Sequence, residues 1–460
     1  MKMALRQREV RMTEGSIVRH LIMFALPLMA GNLFQQLYNT VDTWVVGNYV
    51  SNEAFSAVGS VGPIINMLIG FFIGLSNGAG VVIAQYFGAK REQEVHDTIH
   101  TAFVMTLILA VVFTFVGINI IPFALDFMNT PLEVIPESTA YLKIYFSGIV
   151  GMMLYNIGTG VLNAVGDTRR PFIFLVISAV TNTILDLLFV LGFGMGVEGV
   201  ALATVIAQCF SATLVIITLM RSTSCIRLIP KDLRLHFSML SKIVKVGFPA
   251  AIQSAVTSFS NVFVQSYINS FGADCMSGWT AYNKLDQLIL LPMQSLALAS
   301  TTFVGQNLGV NNVSRAKKGV RTALSISVVT TVVMTIPVMF FAPQLVSFFN
   351  SKPEVVAYGA MLLRWMSPFY VLCCVNQIYA GALRGSGNGR VPMVIMLFSF
   401  VLFRQCYLYI MANFISNTII PIAMGYPMGW LVCSALLLVY FNKVPLGGYR
   451  LVDDEEPAKA

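Results

Sequence analysis

The stretch Val104-Met-Thr-Leu-Ile-Leu-Ala-Val-Val-Phe-Thr-Phe-Val116 contains no charged side chain. Its apolar residues follow one another without alternation, whereas the strands of a membrane β-barrel alternate between apolar and polar residues. The stretch lies within an apolar segment of about 20 residues, which is the length that an α-helix needs to cross a bilayer. It therefore predicts a membrane-spanning helix.

Eleven more apolar segments of similar length occur along the chain. The predicted spans are 20–46, 54–84, 101–122, 139–163, 172–193 and 200–220 in the first half and 243–270, 277–304, 322–342, 357–383, 391–412 and 420–442 in the second. Of the 460 residues 56% are hydrophobic and 11% are charged, against about 25% charged in an average soluble domain. This composition excludes a water-soluble enzyme, a disordered chain and a secreted disulfide scaffold, and it predicts an all-α membrane protein with twelve spans.

The basic residues predict the orientation of these spans. On this map, 24 of the 29 lysines and arginines fall on one side of the membrane. Cytoplasmic loops carry such an excess, so we expect a multi-pass protein of the cytoplasmic (inner) membrane with both termini in the cytoplasm. The net charge of +8 then reflects topology and contact with anionic lipid. It does not indicate a nucleic-acid partner, because no nucleic-acid-binding module is recognisable.

The two halves of the chain repeat each other at an offset of 221 or 222 residues. The matching positions are Pro27 and Pro249, Asn39 and Asn261, Gln85 and Gln306, Gly160 and Gly381, and the loops 166–171 and 387–392. Six spans are an even number, so the sequence predicts two six-helix lobes related by a pseudo-twofold axis along the membrane normal. We place the N-terminal lobe at 1–235 and the C-terminal lobe at 236–460, with the basic stretch 221–242 linking them.

Three of the 21 carboxylates fall well inside the predicted spans: Asp42, Asp186 and Asp286. A charged Asp at the centre of a membrane helix costs about 2.5–3.5 kcal/mol. Asn39 lies three residues before Asp42, and Asn182 lies four residues before Asp186, so each pair shares a helix face. These faces indicate a polar site in the first half of the chain.

The first-half site would gain a hydroxyl from Thr204 if spans one, five and six adjoin. Carboxylate, amide and hydroxyl oxygens suit a hard cation, and two close carboxylates can instead hold a proton. Both Na+ and H+ therefore stay open, and a structural hydrogen-bond network is the alternative. By the repeat offset, Asp42, Asn182, Asp186 and Thr204 correspond to Val264, Phe403, Tyr407 and Gly425. The site exists in one half only, which favours a functional role over a scaffolding role.

The second half places four charged residues within apolar spans: Lys284, Asp286, Arg364 and Arg404. Lys284 and Asp286 are two residues apart and do not share a helix face, so each needs a partner on another helix. An interhelical salt-bridge network is the favoured interpretation. The alternative is that one of the cations meets an anionic part of a substrate or responds to protonation in the first lobe.

Pro27 and the glycines of span two have structural interpretations. Pro27 lies inside span one and removes a backbone hydrogen bond, so we expect a kink and consider a hinge. The glycines from Gly70 to Gly80 lack the spacing of a phosphate-binding loop, and small residues in membrane helices permit close packing.

Five short motifs resemble those of the MATE (multidrug and toxic compound extrusion) transporters. They are Ala25-Leu-Pro27, Val41-Asp-Thr43, Ala57-Val-Gly59, Gln85-Tyr-Phe-Gly-Ala89 and Gly166-Asp-Thr-Arg-Arg-Pro171. The resemblance extends over about residues 15–445. It implies two six-helix lobes around a central cleft and the efflux of a substrate in exchange for inward Na+ or H+.

Within that family the chain is most similar to the DinF-type branch. The resemblance implies a coupling-ion site at Asp42, Asn182, Asp186 and Thr204, and it adds Tyr141 at the start of span four. The NorM-type branch carries a Glu on span seven, where this chain has Gln253 and no carboxylate. A NorM-like sodium site is therefore not expected in the second lobe.

Together these observations predict a monomeric secondary antiporter rather than an enzyme. Its partners would be a small organic substrate, amphipathic and cationic, the lipid bilayer, and H+ or Na+ as the coupling cation, with no other cofactor. Asp42, Asn182, Asp186 and Thr204 would ligate a metal ion only if that cation is Na+. A flippase or exporter of a lipid-linked or anionic metabolite is the alternative. The sequence has neither an HExxH nor a DDxxD motif, which argues against a membrane-embedded enzyme.

Overall fold

The protein is helical wherever its structure is described. The computed structural model describes the backbone of residues 9–50, 52–128 and 130–452, and the side chains in these ranges except those of 42–44, 47–48, 52–56, 59–60, 63 and 127. No strand occurs in these ranges. The α-helices of the first half are α1 (Ile17–Tyr49), α2 (Asn52–Gly88), α3 (Glu92–Phe127), α4 (Ile135–Ser147), α5 (Ile149–Ala164), α6 (Arg169–Leu187) and α7 (Val197–Met220). Those of the second half are α8 (Phe237–Asn269), α9 (Ala273–Gly309), α10 (Val313–Phe340), α11 (Ala342–Ser347), α12 (Pro353–Met366), α13 (Tyr370–Gly385), α14 (Arg390–Leu397), α15 (Arg404–Ile410), α16 (Ile419–Ala423) and α17 (Gly425–Lys443).

Each predicted span lies in one helix or in a short series of helices. The helices extend beyond the predicted edges: α3 has 36 residues, whereas its span was predicted over 101–122. At 1.5 Å per residue α3 is about 54 Å long, and the hydrocarbon core is about 30 Å thick. Apolar composition therefore marks only the part of a helix that lies in hydrocarbon.

Three predicted spans are interrupted. The pair α4 and α5 is bent by 49°, and a 3₁₀ turn at Ser367–Phe369 separates α12 from α13. The span of α14 and α15 contains a π-helical segment at Phe398–Phe403. A π-turn accommodates an extra residue in a helix, so this segment can shift the register of the second repeat against the first.

Among the described residues, ten helical segments are long and apolar enough to span a membrane, and the bent pair α4 and α5 brings the number to eleven. The twelfth predicted span corresponds to α8, which has 33 residues and is long enough. It does not pass the same test because it carries two lysines and many polar side chains, among them Gln253, Ser260 and Asn261. The twelve-span map is confirmed in its helices, and α8 is the polar exception.

The internal repeat is visible in the backbone. Helices α1 and α8 both contain 33 residues, and α2 and α9 both contain 37. The turns after α2 and α9 contain Lys90 and Asn311 at φ of 61° and 56°, at an offset of 221. Gly166 and Gly387, at φ of 85° and 99°, have the same offset. Residues with side chains rarely adopt such backbone angles, so their recurrence confirms the predicted duplication.

Two compact units make up the described chain. The first holds residues 9–11 and Pro27–Gly247, and the second holds Met12–Leu26 and residues 248–452. These units differ from the predicted lobes, because the N-terminal part of α1 belongs to the second unit and the N-terminal part of α8 belongs to the first. The division of each helix falls at or next to a proline, Pro27 in α1 and Pro249 in α8.

Glycines allow close helix crossings inside the first unit. A Cβ atom on Gly78 of α2 would lie 2.3 Å from the Cα of Gly247 in α8. A Cβ on Gly80 would lie 3.4 Å from the carbonyl oxygen of Gly160 in α5. The packing role predicted for the glycines of span two is confirmed at these positions.

Candidate functional site

Helix α6 carries Asn182 and Asp186 on one buried face. The two residues are one turn apart, and their exposed fractions are 2% and 0%. Neither the amide nitrogen nor the amide oxygen of Asn182 has a hydrogen-bond partner in the described part of the chain. A buried amide without partners costs about 1–3 kcal/mol, so this position is suited to receive a ligand.

Helix α7 lies beside α6 and carries Thr204. The hydroxyl of Ser178 on α6 donates to the carbonyl oxygen of Ala207 on α7 at 2.8 Å. One turn along α6 from Ser178 lies Asn182, and one turn back along α7 from Ala207 lies Thr204. Because the two helices are consecutive and antiparallel, this register places Asn182 and Thr204 at the same level.

The Thr204 hydroxyl donates to the carbonyl oxygen of Val200 at 3.0 Å. The oxygen of this hydroxyl still has lone pairs that can accept a hydrogen bond or ligate a cation. Thr204 can therefore contribute an oxygen to a site beside Asn182.

Helices α1 and α4 reach the same core. The ring of Phe34 on α1 packs edge-on against Phe172 of α6, with centroids 6.0 Å apart, so span one adjoins span five as predicted. Tyr141 of α4 is buried and stacks on Tyr145 with centroids 6.4 Å apart. The hydrophobic core that contains Tyr141 also contains members from α1, the end of the α6 span and α7: Val45, Val46, Val190 and Val200. These residues lie within four positions of Asp42, Asp186 and Thr204 along the chain.

The structure leaves part of the first-half prediction open. The side chain of Asp42 lies outside the described residues, so its distance from Asp186 stays a prediction. Asn39 is exposed, unlike the buried Asn182 and Asp186. Pro27 lies inside α1 at the division between the two units.

The charged residues of the second half do not form the predicted salt-bridge network. Among the described side chains, no ion pair joins Lys284, Asp286, Arg364 and Arg404 to one another. Lys284 is exposed, and the exposed Arg364 donates to the carbonyl oxygen of Met339 at 3.3 Å. The network is absent because each buried charge is satisfied by neutral partners.

Arg404 is 2% exposed and is held by α8. Its Nη2 atom donates to Ser260 Oγ and to Asn261 Oδ1, both at 2.9 Å. Its guanidinium also lies 4.7 Å from the ring centroid of Tyr426, a cation–π distance. Sequence reasoning missed these partners, although Asn261 stood out as the repeat equivalent of Asn39.

Asp286 accepts hydrogen bonds from two tyrosines. Tyr370 OH donates to its Oδ1 at 2.5 Å, and Tyr282 OH donates to the same atom at 3.2 Å. Tyr282 lies four residues before Asp286, so the i, i+4 rule could have identified it. Tyr370 is 84 residues away along the chain and has no local signal.

Comparison with known proteins identifies the family. The MatE family model matches this chain twice, over residues 27–188 and 249–410. The chain belongs to the MATE family. The two matches start and end at an offset of 222 residues, which confirms both the duplication and the resemblance seen in the sequence.

Relatives of this MATE protein cover nearly all of it. The probable multidrug resistance protein YpnP of Bacillus subtilis is 27% identical over 430 residues, 94% of this chain and 96% of that protein. The FAD transporter of Shewanella oneidensis is 24% identical over 398 residues, 84% of this chain and 86% of that protein. An outward-facing multidrug resistance MATE family transporter of the MOP superfamily has a TM-score of 0.88 at 22% identity, covering 95% of this chain and 97% of that chain. The all-α membrane fold is confirmed, and the protein is a multi-pass transporter for small molecules.

The family match corrects one residue of register. The predicted equivalents of Asn182 and Asp186 were Phe403 and Tyr407, at an offset of 221. The match ends at an offset of 222, and the π-helical segment Phe398–Phe403 accounts for the added residue. Arg404 and Leu408 are therefore the equivalents.

Proposed function

We propose that this MATE protein is a secondary antiporter that exports amphipathic cationic compounds in exchange for inward H+ or Na+. The observation that carries the proposal is the buried pair Asn182 and Asp186, whose amide has no partner among the described residues. A small cation, or a proton on Asp186, would supply the positive group that such a site needs.

The second repeat supports this assignment because the same position is filled there. Arg404 stands where the first repeat has Asn182, and its guanidinium binds Asn261, the repeat equivalent of Asn39. Leu408, which is 0% exposed, stands where the first repeat has Asp186. The second repeat thus holds a permanent cation, whereas the first repeat offers oxygens to an exchangeable one.

The proposed cycle couples this cation to the substrate. An inward-moving cation releases about 2.3 kcal/mol for each charge that crosses 100 mV. Asp42 and Asp186 would bind the cation from outside and release it to the cytoplasm, and the kinks at Pro27 and Pro249 would let the two units rearrange. The protein would reside in the cytoplasmic membrane, and a monomer would suffice.

The test is dye efflux from proteoliposomes of known orientation, with pH and sodium gradients imposed separately. Asp42→Asn and Asp186→Asn remove the negative charge with little change in shape, so coupled efflux should fall at least tenfold while the protein stays folded. Glu198→Gln is the matched control, because Glu198 is an exposed carboxylate at the start of α7. Coupled efflux at the unmodified rate from both Asp variants would refute the site.

A second candidate function is export of an anionic metabolite. It is favoured by the FAD transporter among the relatives and by the buried cation Arg404. The same liposomes should then accumulate FAD rather than a cationic dye under an identical gradient.

A further inference from the structure

Asp286 is a half-buried carboxylate in the middle part of a membrane helix. It is the fourteenth of the 37 residues of α9, about 20 Å from the start of that helix. Both tyrosine hydroxyls donate to Oδ1. Oδ2 accepts no hydrogen bond from the described residues. One oxygen is therefore fixed in the wall of the unit, and the other is available to a ligand.

Five aromatic rings surround this carboxylate. Successive centroid distances are 5.1 Å from Tyr282 to Trp279, 5.8 Å from Trp279 to Tyr426, 6.2 Å from Tyr426 to Trp430 and 5.7 Å from Trp430 to Tyr370. The series closes on itself, because the Tyr282 and Tyr370 hydroxyls are 3.3 Å apart and both bind Asp286. Tyr282, Trp279 and Tyr370 are buried, whereas Tyr426 and Trp430 are half-buried.

This arrangement has the chemistry of an organic-cation site. A carboxylate attracts positive charge, and the faces of Trp and Tyr rings bind cations with about 0.5–2 kcal/mol each. A carboxylate that opens toward hydrocarbon would be costly, so Asp286 requires a water-accessible space or a cationic ligand. Asp286 and its rings all belong to the second unit, so the site is complete within that unit.

We propose that Asp286, Tyr426 and Trp430 bind the charged group of a monovalent organic cation. The buried pair Tyr282 and Tyr370 orients the carboxylate for this contact. The inference rests on the proposed function in that it names where the exported cation binds, and it separates this site from the coupling site in the first unit.

Arg404 limits the charge that the site can take. Its guanidinium already lies over the ring of Tyr426 and is fixed by Ser260 and Asn261. Only one negative charge, that of Asp286, faces the ligand, and a second positive group would meet Arg404. Monovalent cations should therefore bind more tightly than dications of similar size.

The experiment measures binding of tetraphenylphosphonium to the purified full-length protein, with uncharged triphenylphosphine oxide as the comparison ligand. Asp286→Asn should weaken tetraphenylphosphonium binding at least tenfold and leave the binding of the neutral compound unchanged. Trp430→Leu should weaken it about fivefold. Asp274→Asn is the control, because Asp274 lies at the start of the same helix and pairs with the exposed Lys352 at 2.6 Å.

Unchanged tetraphenylphosphonium binding by Asp286→Asn overturns the proposal. If that variant does not fold, Trp430→Leu decides, since unchanged binding there overturns it as well. Asp186→Asn should retain binding, because it alters the coupling site only, and equal loss in both Asp variants contradicts a separate site. If liposomes show no coupled efflux while binding depends on Asp286, the proposed antiport fails and the cation site stands.

Discussion

At the scale of single residues, the two repeats place opposite chemistry at equivalent positions. Asn182 is a buried amide without partners among the described residues, and its counterpart Arg404 is a buried cation with two hydrogen-bond acceptors. A duplicated scaffold has no need of this difference. It explains why only the first repeat can exchange an ion while both repeats keep the same helices.

The closest glycine crossing gives a residue-scale prediction. A methyl group on Gly78 would overlap the backbone of Gly247, and such overpacking costs about 1–3 kcal/mol. Gly78→Ala should therefore lower the melting temperature of the purified protein by several degrees, measured by size exclusion after heating. Gly62→Ala is the matched control in the same helix, because nothing lies within 4 Å of its added methyl. Equal melting temperatures for the two variants would contradict the tight crossing.

Local spacing predicted about half of the polar sites. The pairs Asn182 with Asp186 and Tyr282 with Asp286 follow from one helical turn, which the sequence displays directly. The contacts of Arg404 with Ser260 and of Tyr370 with Asp286 join residues 144 and 84 positions apart. Such contacts depend on how helices pack, and a single π-turn changed the register by one residue, so no pattern in the chain could reveal them.

At the scale of the elements, Arg315 of α10 holds the segment before α1. Its guanidinium donates to the carbonyl oxygens of Met12, Glu14 and Gly15, at 3.2, 2.9 and 2.9 Å. Gln306 Oε1 accepts from the Met12 amide at 2.8 Å. These bonds fix residues 12–15 to the second unit at the entry to α1.

Removal of this guanidinium should loosen the entry segment. In Arg315→Ala we expect backbone amides near residues 12–18 to exchange with deuterium at least tenfold faster, because three carbonyl groups lose their donor. Lys318→Ala removes an exposed cation from the same helix and should leave exchange unchanged. Hydrogen exchange with mass spectrometry measures both, and equal exchange in the two variants would show that Arg315 does not hold the segment.

At the scale of the whole molecule, the apolar segments predicted the number and order of the spans because lipid imposes one length on all of them. The polar α8 is the exception, since hydropathy cannot identify a membrane helix that is rich in Ser, Thr, Asn and Gln. The repeat supplied its position instead, through the match of Pro27 with Pro249.

Orientation in the membrane is the prediction that belongs to this scale. Alkaline phosphatase fused after Lys352 should be active, because that loop is predicted to lie outside the cytoplasm, and a fusion after Arg221 should be inactive. Green fluorescent protein fused after Val452 should fluoresce. Activity of the fusion after Arg221 would reverse the topology inferred from the basic residues.

The division of α1 between the two units has a consequence for synthesis. Met12 leaves the ribosome 294 residues before Gln306, whose side chain receives its amide. The earliest part of the chain is thus among the last to find its final neighbours, and it waits at the membrane until most of the protein has been inserted. Chains truncated before α9 must therefore leave their own beginning without a place to dock, which gives cellular quality control a signal that synthesis is incomplete.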